Sequence, residues 1–337
     1  MTRAARGRVV LIGAVHEALP ALDALLASAA VDVVSVVTST RVGARGLSGA
    51  VNLARPAQAA GVPVIRADNA NDPGVVTAIR SLAPDLLIVV GWNQLINSEL
   101  LAVPRRGCVG FHASLLPRHR GHAPVNWAIL RGETNTGNTM MLLDPGADTG
   151  DVVAQQRIRI GPNDTCASIY HQVGQVGATM LVTHLPALLA GTAERHPQRR
   201  ADGDVLPRRT PDMGIIDWDQ PARVVHDHVR ALTLPYPGAF TMVRGRRVMV
   251  WATNLPGDRE PRGPRGRVFA LERPGIRVGV LGGSILVTRM SEAEANPEHA
   301  RRWFRRARLS LGYEFDPVPA SVSRWARGER LTSAVAG

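Results

Sequence analysis

The side chains of this chain best placed to do chemistry concentrate in one stretch: Val109-Gly110-Phe111-His112-Ala113-Ser114-Leu115-Leu116-Pro117-Arg118-His119-Arg120-Gly121. A histidine that closes an apolar strand and opens a Ser/Pro/Arg/Gly loop offers an imidazole able to take or give a proton near neutral pH. On its own, His112 reads first as a structural histidine, because buried polar side chains find partners. Further along, Gly146-Ala147-Asp148-Thr149-Gly150 sets an acid between glycines at a strand junction. Such a carboxylate can orient an imidazole and stabilise its cation. It is equally a turn aspartate, since Asp and Gly together are common turn chemistry.

Other histidines and the cysteines carry less. His119 and His122 share the loop after His112, but a Pro/Gly segment has neither the i, i+4 helical spacing nor the carboxylate cluster that metal sites use. His226 and His228 stand two apart on a predicted helix and point in different directions. Cys108 and Cys166 are the only cysteines, without CxxC spacing and too few for a disulfide framework or a cysteine-rich zinc site. Cys108 sits on an apolar strand with no base nearby and reads as a packed thiol. No metal is expected.

A histidine at a strand end needs a sheet to hold it, and the surrounding pattern supplies one. Apolar runs at 8–14, 31–39, 63–67, 85–91 and 108–114 alternate with helix-length segments at 17–29, 72–82 and 123–131. This alternation predicts βαβ units, so the fold class is α/β, a doubly wound, mostly parallel sheet buried on both faces. Functional groups then belong at the carboxyl ends of its strands. Strands at 137–143 and 152–160 and a helix over 168–189 complete a first domain, residues 1–195. The polar, Arg/Asp/Pro-rich residues 196–212 read as a surface linker. A helix at 221–232 and short strands split by Gly and Pro then predict a small antiparallel β-barrel over 213–291. Residues 292–337 are weakly patterned and predict one or two short helices and a frayed end.

With 337 residues, 45% of them hydrophobic, the chain can bury a core for one large or two ordinary domains. No run of about 18 apolar residues and no signal-peptide h-region after Met1 predict a soluble, cytoplasmic protein that is not membrane-bound. The formal charge of +12 raises nucleic acid as a partner. Every one of the 40 basic residues is arginine, however, dispersed along the chain apart from clusters at 199–200, 208–209, 244–247 and 301–308, and not interleaved with aromatic residues as a stacking platform needs. That pattern is a compositional bias more than a stacking platform, and it argues against nucleic acid.

Taken together, His112 to Gly121, Asn126-Trp127 and Asp148-Thr149-Gly150 resemble the folate-dependent formyltransferases, the family of the methionyl-tRNA and glycinamide ribonucleotide enzymes. Asp85 to Ile96, Arg209-Thr210-Pro211-Asp212, Ile216-Asp217-Trp218 and Pro235-Tyr236-Pro237-Gly238-Ala239-Phe240 extend the likeness over residues 8 to 290. The resemblance implies direct acyl transfer from 10-formyltetrahydrofolate to a primary amine, without a covalent enzyme intermediate. His112 and Asp148 then fill two of three catalytic places, and Gly91, Trp92, Asn93, Leu95 and Ile96 line the pterin pocket. The third place, an asparagine in the family, is Gly110. An amide there would hold the formyl oxygen as charge builds, a contact worth roughly 3 to 4 kcal/mol, and Asn93 is a candidate substitute.

The Val229-Arg230-Ala231 and Pro235–Phe240 segments resemble the branch that formylates amino sugars on nucleotide carriers, with hydroxyornithine formylation close by. The expected acceptor is therefore a small-molecule amine. A methionyl-tRNA formyltransferase is the alternative, and a formyltetrahydrofolate hydrolase or folate-binding relic is a further one, motivated by Gly110.

Overall fold

The structure is a computed structural model that describes residues 6–41, 43–199, 202–255, 257, 261–293 and 295–318. It divides into two units, the first formed by 1–125, 135–160 and 168–207, the second by 126–134, 161–167 and 208–337.

Strictly apolar strands need cover on both sides, and the first unit is built to give it. Its elements are β1 (Gly7–Gly13), α1 (Ala18–Ala27), β2 (Val31–Thr38), α2 (Ala54–Ala59), β3 (Val64–Arg66), α3 (Pro73–Ser81), β4 (Leu86–Val90), α4 (Ser98–Leu101) and β5 (Cys108–His112). There follow β6 (Arg120–Gly121), α5 (Pro124–Leu130), most of which groups with the second unit, β7 (Asn135–Leu142), β8 (Val152–Arg159), α6 (Cys166–Ala190), whose first two residues also group with the second unit, and β9 (Val205–Leu206). Strand order is β3-β2-β1-β4-β5-β7-β8. The first five strands run parallel, while β7 is antiparallel to both β5 and β8. In β4, Leu86, Ile88 and Val90 join one core with Leu22, Leu25, Leu181 and Leu185, whereas Leu87 and Val89 join the opposite core with Val76, Ile79 and Leu100. Each such side chain contributes about 1.5–3 kcal/mol by leaving water, which is why this strand reads as unbroken hydrophobics.

By length and composition α6 could cross a membrane, with mean hydropathy 1.4. Its Leu181, Leu185 and Leu188 lie in the sheet-facing core, and core helices pass the same test. Short helices α2 and α4 were not legible in the sequence. Two strand pairings also differ from expectation. Residues 196–207, expected to begin a linker, group with the first unit, where β9 pairs in parallel with β6. The β7–β8 pair is an antiparallel hairpin at the sheet edge, so Asp148 does not follow a parallel strand.

The second unit contains α7 (Ala222–Leu232), β10 (Ala239–Val243), β11 (Arg246–Asn254), β12 (Val268–Leu271), β13 (Ile276–Val280), β14 (Gly283–Glu292), β15 (Glu298–His299) and α8 (Ala300–Arg306). Its sheet is antiparallel, in the order β10-β11-β14-β13-β12, with β15 on β14. The end strands are joined through the segment 313–316, which bridges Arg267 through Glu314 and Met242 through Asp316. Phe315 of that segment stacks on Trp218, ring centroids 5.3 Å apart. Part of the weakly patterned tail thus completes this unit. The frayed end expected beyond it lies outside the described residues.

Candidate active site

β5 runs between two cores, so alternate residues face opposite sides. Cys108 packs into the core of α3 and α4, and Val109 and Phe111 pack against that of α1 and α6. Gly110 and His112 therefore share the Cys108 side. His112 is the last residue of the strand and is only 8% exposed. Its Nε2 donates to the His119 carbonyl at 2.7 Å. Its Nδ1 lies 3.3 Å from Asp148 Oδ1. A carbonyl can only accept, so Nε2 carries a proton, and proton exchange by the ring is left to Nδ1.

Asp148 reaches this place by an indirect route. β7 ends at Leu142, which pairs with Val109 near the start of β5, so the following loop must double back over the sheet face. Leu143 marks its path: its backbone N–H bonds the Cys108 carbonyl, and its side chain lies over Gly110. Asp144 shapes the turn by accepting from Gly146 N and Thr149 Oγ1. Asp148 itself has φ +54, a left-handed conformation uncommon for a residue with a side chain. Its second oxygen accepts the Gly121 N–H at 2.8 Å. The turn aspartate and the candidate functional aspartate are thus one residue, with a strained backbone that aims the carboxylate at His112.

The loop after His112 is stitched to the hairpin by side chains that sequence reasoning passed over. Thr139 Oγ1 donates to the Ser114 carbonyl and accepts from Leu116 N, while Gln155 Nε2 donates to the Leu116 carbonyl. Ser114 Oγ closes the loop on the Arg118 carbonyl. The available signal was the run of polar residues Asn135, Thr136, Asn138 and Thr139 in a strand of the sheet, since hydroxyls and amides buried there must bond something.

Strand order reverses between β1 and β4, where open parallel sheets hold ligands beyond their carboxyl ends. The loop Gly91 to Ile96 leaves β4 at that point. Gly91 has φ +60, and a Cβ there would meet Val15 Cγ2 at 2.2 Å, so glycine lets the loops after β1 and β4 close together. Trp92 packs on the α3 side and donates to Gln94, Asn93 is exposed, Leu95 is 57% exposed, and Ile96 is a core residue at 5%. The structure therefore splits this set: Leu95 offers an apolar surface, whereas Ile96 is packing. The space beside Gly110 is filled by Leu143, whose Cδ2 would be 2.4 Å from an added Cβ.

Burial pushes both thiols, Cys108 and Cys166, up to about 12, which makes them poor nucleophiles. Among the described residues no group of three His, Cys, Asp or Glu side chains is placed to hold a metal ion. His226 bonds Thr253 and the Pro162 carbonyl, and His228 bonds the Gly214 carbonyl, so the two serve separate structural contacts in the second unit.

Residues 7–185 match the Formyl transferase family, and residues 208–308 match the Formyl transferase C-terminal domain. A methionyl-tRNA formyltransferase of Geotalea uraniireducens is 37% identical over 285 residues, 83% of this chain and 88% of that protein. One from Synechococcus sp. is 35% identical over 327 residues, 93% of this chain and 100% of its own. Among solved structures, HypX from Aquifex aeolicus in complex with tetrahydrofolic acid has TM-score 0.66 and 20% identity over 93% of this chain and 49% of its own. An N-formyltransferase from Helicobacter canadensis, in complex with folinic acid and dTDP-3-aminofucose, has TM-score 0.60 and 18% identity over 83% and 98%. These two share the fold. With both of its units matched and relatives sharing more than a third of their residues along nearly the whole length, the chain belongs to the formyl transferase family.

Proposed function

We propose that this enzyme transfers the formyl group of 10-formyltetrahydrofolate to the α-amine of methionyl-tRNA. The observation that carries the acceptor is the match to the Synechococcus enzyme, which spans the whole of that relative and 93% of this chain. It displaces the small-molecule acceptor expected from the sequence to second place. The donor, when bound, supplies the formyl carbon. The loop at 91–96 suits its ring, with backbone groups at Gly91 to Asn93 and apolar surface at Leu95.

As the acceptor amine attacks, it must shed a proton. His112 Nδ1 and the Asp148 carboxylate, 3.3 Å apart, form the receiving pair. Nε2 is committed to the His119 carbonyl, which favours proton transfer over direct contact with the formyl oxygen as the role of this histidine. Gly121 N–H holds the carboxylate in line.

A second reading, transfer to a nucleotide-linked amino sugar or hydroxyornithine, is favoured by the Pro235-Tyr236-Pro237-Gly238-Ala239-Phe240 segment. The test offers charged initiator tRNA, amino-sugar nucleotides and hydroxyornithine in parallel, with formylated product read by mass spectrometry. Formyl-methionyl-tRNA as the main product, formed more slowly as salt rises because phosphate contacts are screened, supports the first reading. Product on a small amine alone overturns it in favour of the second. Formate release without any acceptor product identifies a hydrolase.

A further inference from the structure

The loop that carries His119 is held from outside by a strap, residues 196–199 and 202–206. His196 exchanges both backbone hydrogen bonds with Val152, at 2.9 Å each. Gln198 Nε2 donates to the carbonyls of Asp148 and Gly150, at 3.0 and 2.7 Å. Asp204 Oδ1 accepts the His119 N–H at 2.7 Å, and the Asp204 carbonyl accepts from Arg120 N at 3.1 Å. Val205 and Leu206 then pair with Arg120 and Gly121. A segment with no side chain in the His112–Asp148 pair therefore braces the loops on both sides of it.

Within that arrangement His119 is the strained link. Its φ of +58 is left-handed, a conformation that a residue with a Cβ leaves unless something holds it. Both of its backbone groups are held: the N–H by Asp204, the carbonyl by His112 Nε2. That carbonyl decides which ring nitrogen keeps the proton. While it accepts from Nε2, the exchanging nitrogen is Nδ1, beside Asp148. If it swung away, the Asp148 carboxylate would draw the proton to Nδ1 and leave a bare Nε2 turned from the pair.

We infer that Asp204 is a positioning residue for formyl transfer: by accepting the His119 N–H it holds the loop conformation that fixes the His112 tautomer. The inference rests on His112 and Asp148 being the reacting pair. An amide oxygen at position 204 can accept the His119 N–H as the carboxylate does; the second carboxylate oxygen also lies 3.9 Å from His119 Nε2, a longer charge contact that Asp204→Asn removes while keeping the accepting oxygen.

The experiment compares Asp204→Ala and Asp204→Asn in the full chain, with 10-formyltetrahydrofolate and charged initiator tRNA, alongside 15N-histidine NMR. Asp204→Ala is expected to lower kcat about tenfold with KM for the donor within about twofold, the pattern of a group acting on the chemical step. Its His112 signals should shift from the Nε2–H form toward a tautomer mixture. Asp204→Asn, whose carbonyl oxygen can still accept, is expected to restore both turnover and the Nε2–H signature. Should Asp204→Ala not fold, Asp204→Ser is too short to reach His119 N and reads the same way. Equal loss in the Ala and Asn variants, or a wild-type kcat and NMR signature in Asp204→Ala, overturns the inference. His112→Ala separates the two levels. Full turnover in that variant removes the reacting pair itself, whereas lost turnover there with none lost in Asp204→Ala removes only the role of Asp204.

Discussion

His112 has no idle nitrogen: one is bonded to a backbone carbonyl and the other faces a carboxylate. Removing the ring should therefore cost the reaction without disturbing the loop after β4 proposed to hold the donor. His112→Ala is expected to lower kcat at least about a hundredfold while the folate dissociation constant stays within a few fold, measured by single-turnover kinetics and fluorescence titration. Gly110 is the other decisive residue. Leu143 occupies its side-chain space, so Gly110→Asn must push that leucine aside and is expected to destabilise by about 1–3 kcal/mol. Adding Leu143→Ala opens room, and the double variant should be more stable than the sum of the singles by at least about 0.5 kcal/mol, measured by urea unfolding. An additive result would mean that the two positions do not compete. His112 was legible as a strand-end imidazole, and Asp148 as an acid between glycines. Leu143 was not, because nothing local marks a side chain that folds back over a strand distant in sequence.

The loop from His112 to Gly121, the hairpin loop bearing Asp148 and the strap act as one structural element, and Gly121 is where they meet. Its φ is +94, its N–H bonds Asp148, and a Cβ would lie 2.5 Å from the Leu206 carbonyl oxygen. Backbone cannot yield as a flexible side chain does. Gly121→Ala is expected to break the β6–β9 pairing, to lower kcat by about tenfold or more, and to cost roughly 1–3 kcal/mol of stability. Limited proteolysis should then cut within 196–206 faster than in the parent, while an unchanged digestion pattern would show that the strap is not held there. Parallel strands such as β4 could be read directly because burial on both faces leaves continuous hydrophobic runs. A two-residue strand such as β9 leaves no periodicity to read: its partner, not its composition, makes it a strand.

At the scale of the whole chain, stability should depend on two histidines remote in sequence from His112. Burial, reinforced by the Arg209 charge, pulls His228 down to about 4, against a raising contribution from the Gly214 carbonyl. Burial likewise lowers His226. Both stay neutral in the fold while the unfolded chain takes up protons near pH 6.5. Stability is therefore complete above that value and is lost as pH falls toward 4, by at most about 3 kcal/mol for His228, which keeps some surface exposed. Thermal unfolding between pH 8 and 5 should show a falling midpoint, and His228→Gln should flatten the slope. A slope that His228→Gln leaves unchanged would assign the effect elsewhere. The succession of an α/β unit and an antiparallel unit was legible from hydrophobic period. The boundary between them was not, since polar, Pro-rich sequence describes a free linker and a docked strap alike. That boundary governs how such a protein can be recombined. A chimaera joined at residue 185 or 195 would replace Gln198 and Asp204 along with the second unit, so the first unit would receive bracing residues from a stranger. A junction placed after Pro207 exchanges only residues 208–337 of the second unit and keeps the native support of His119.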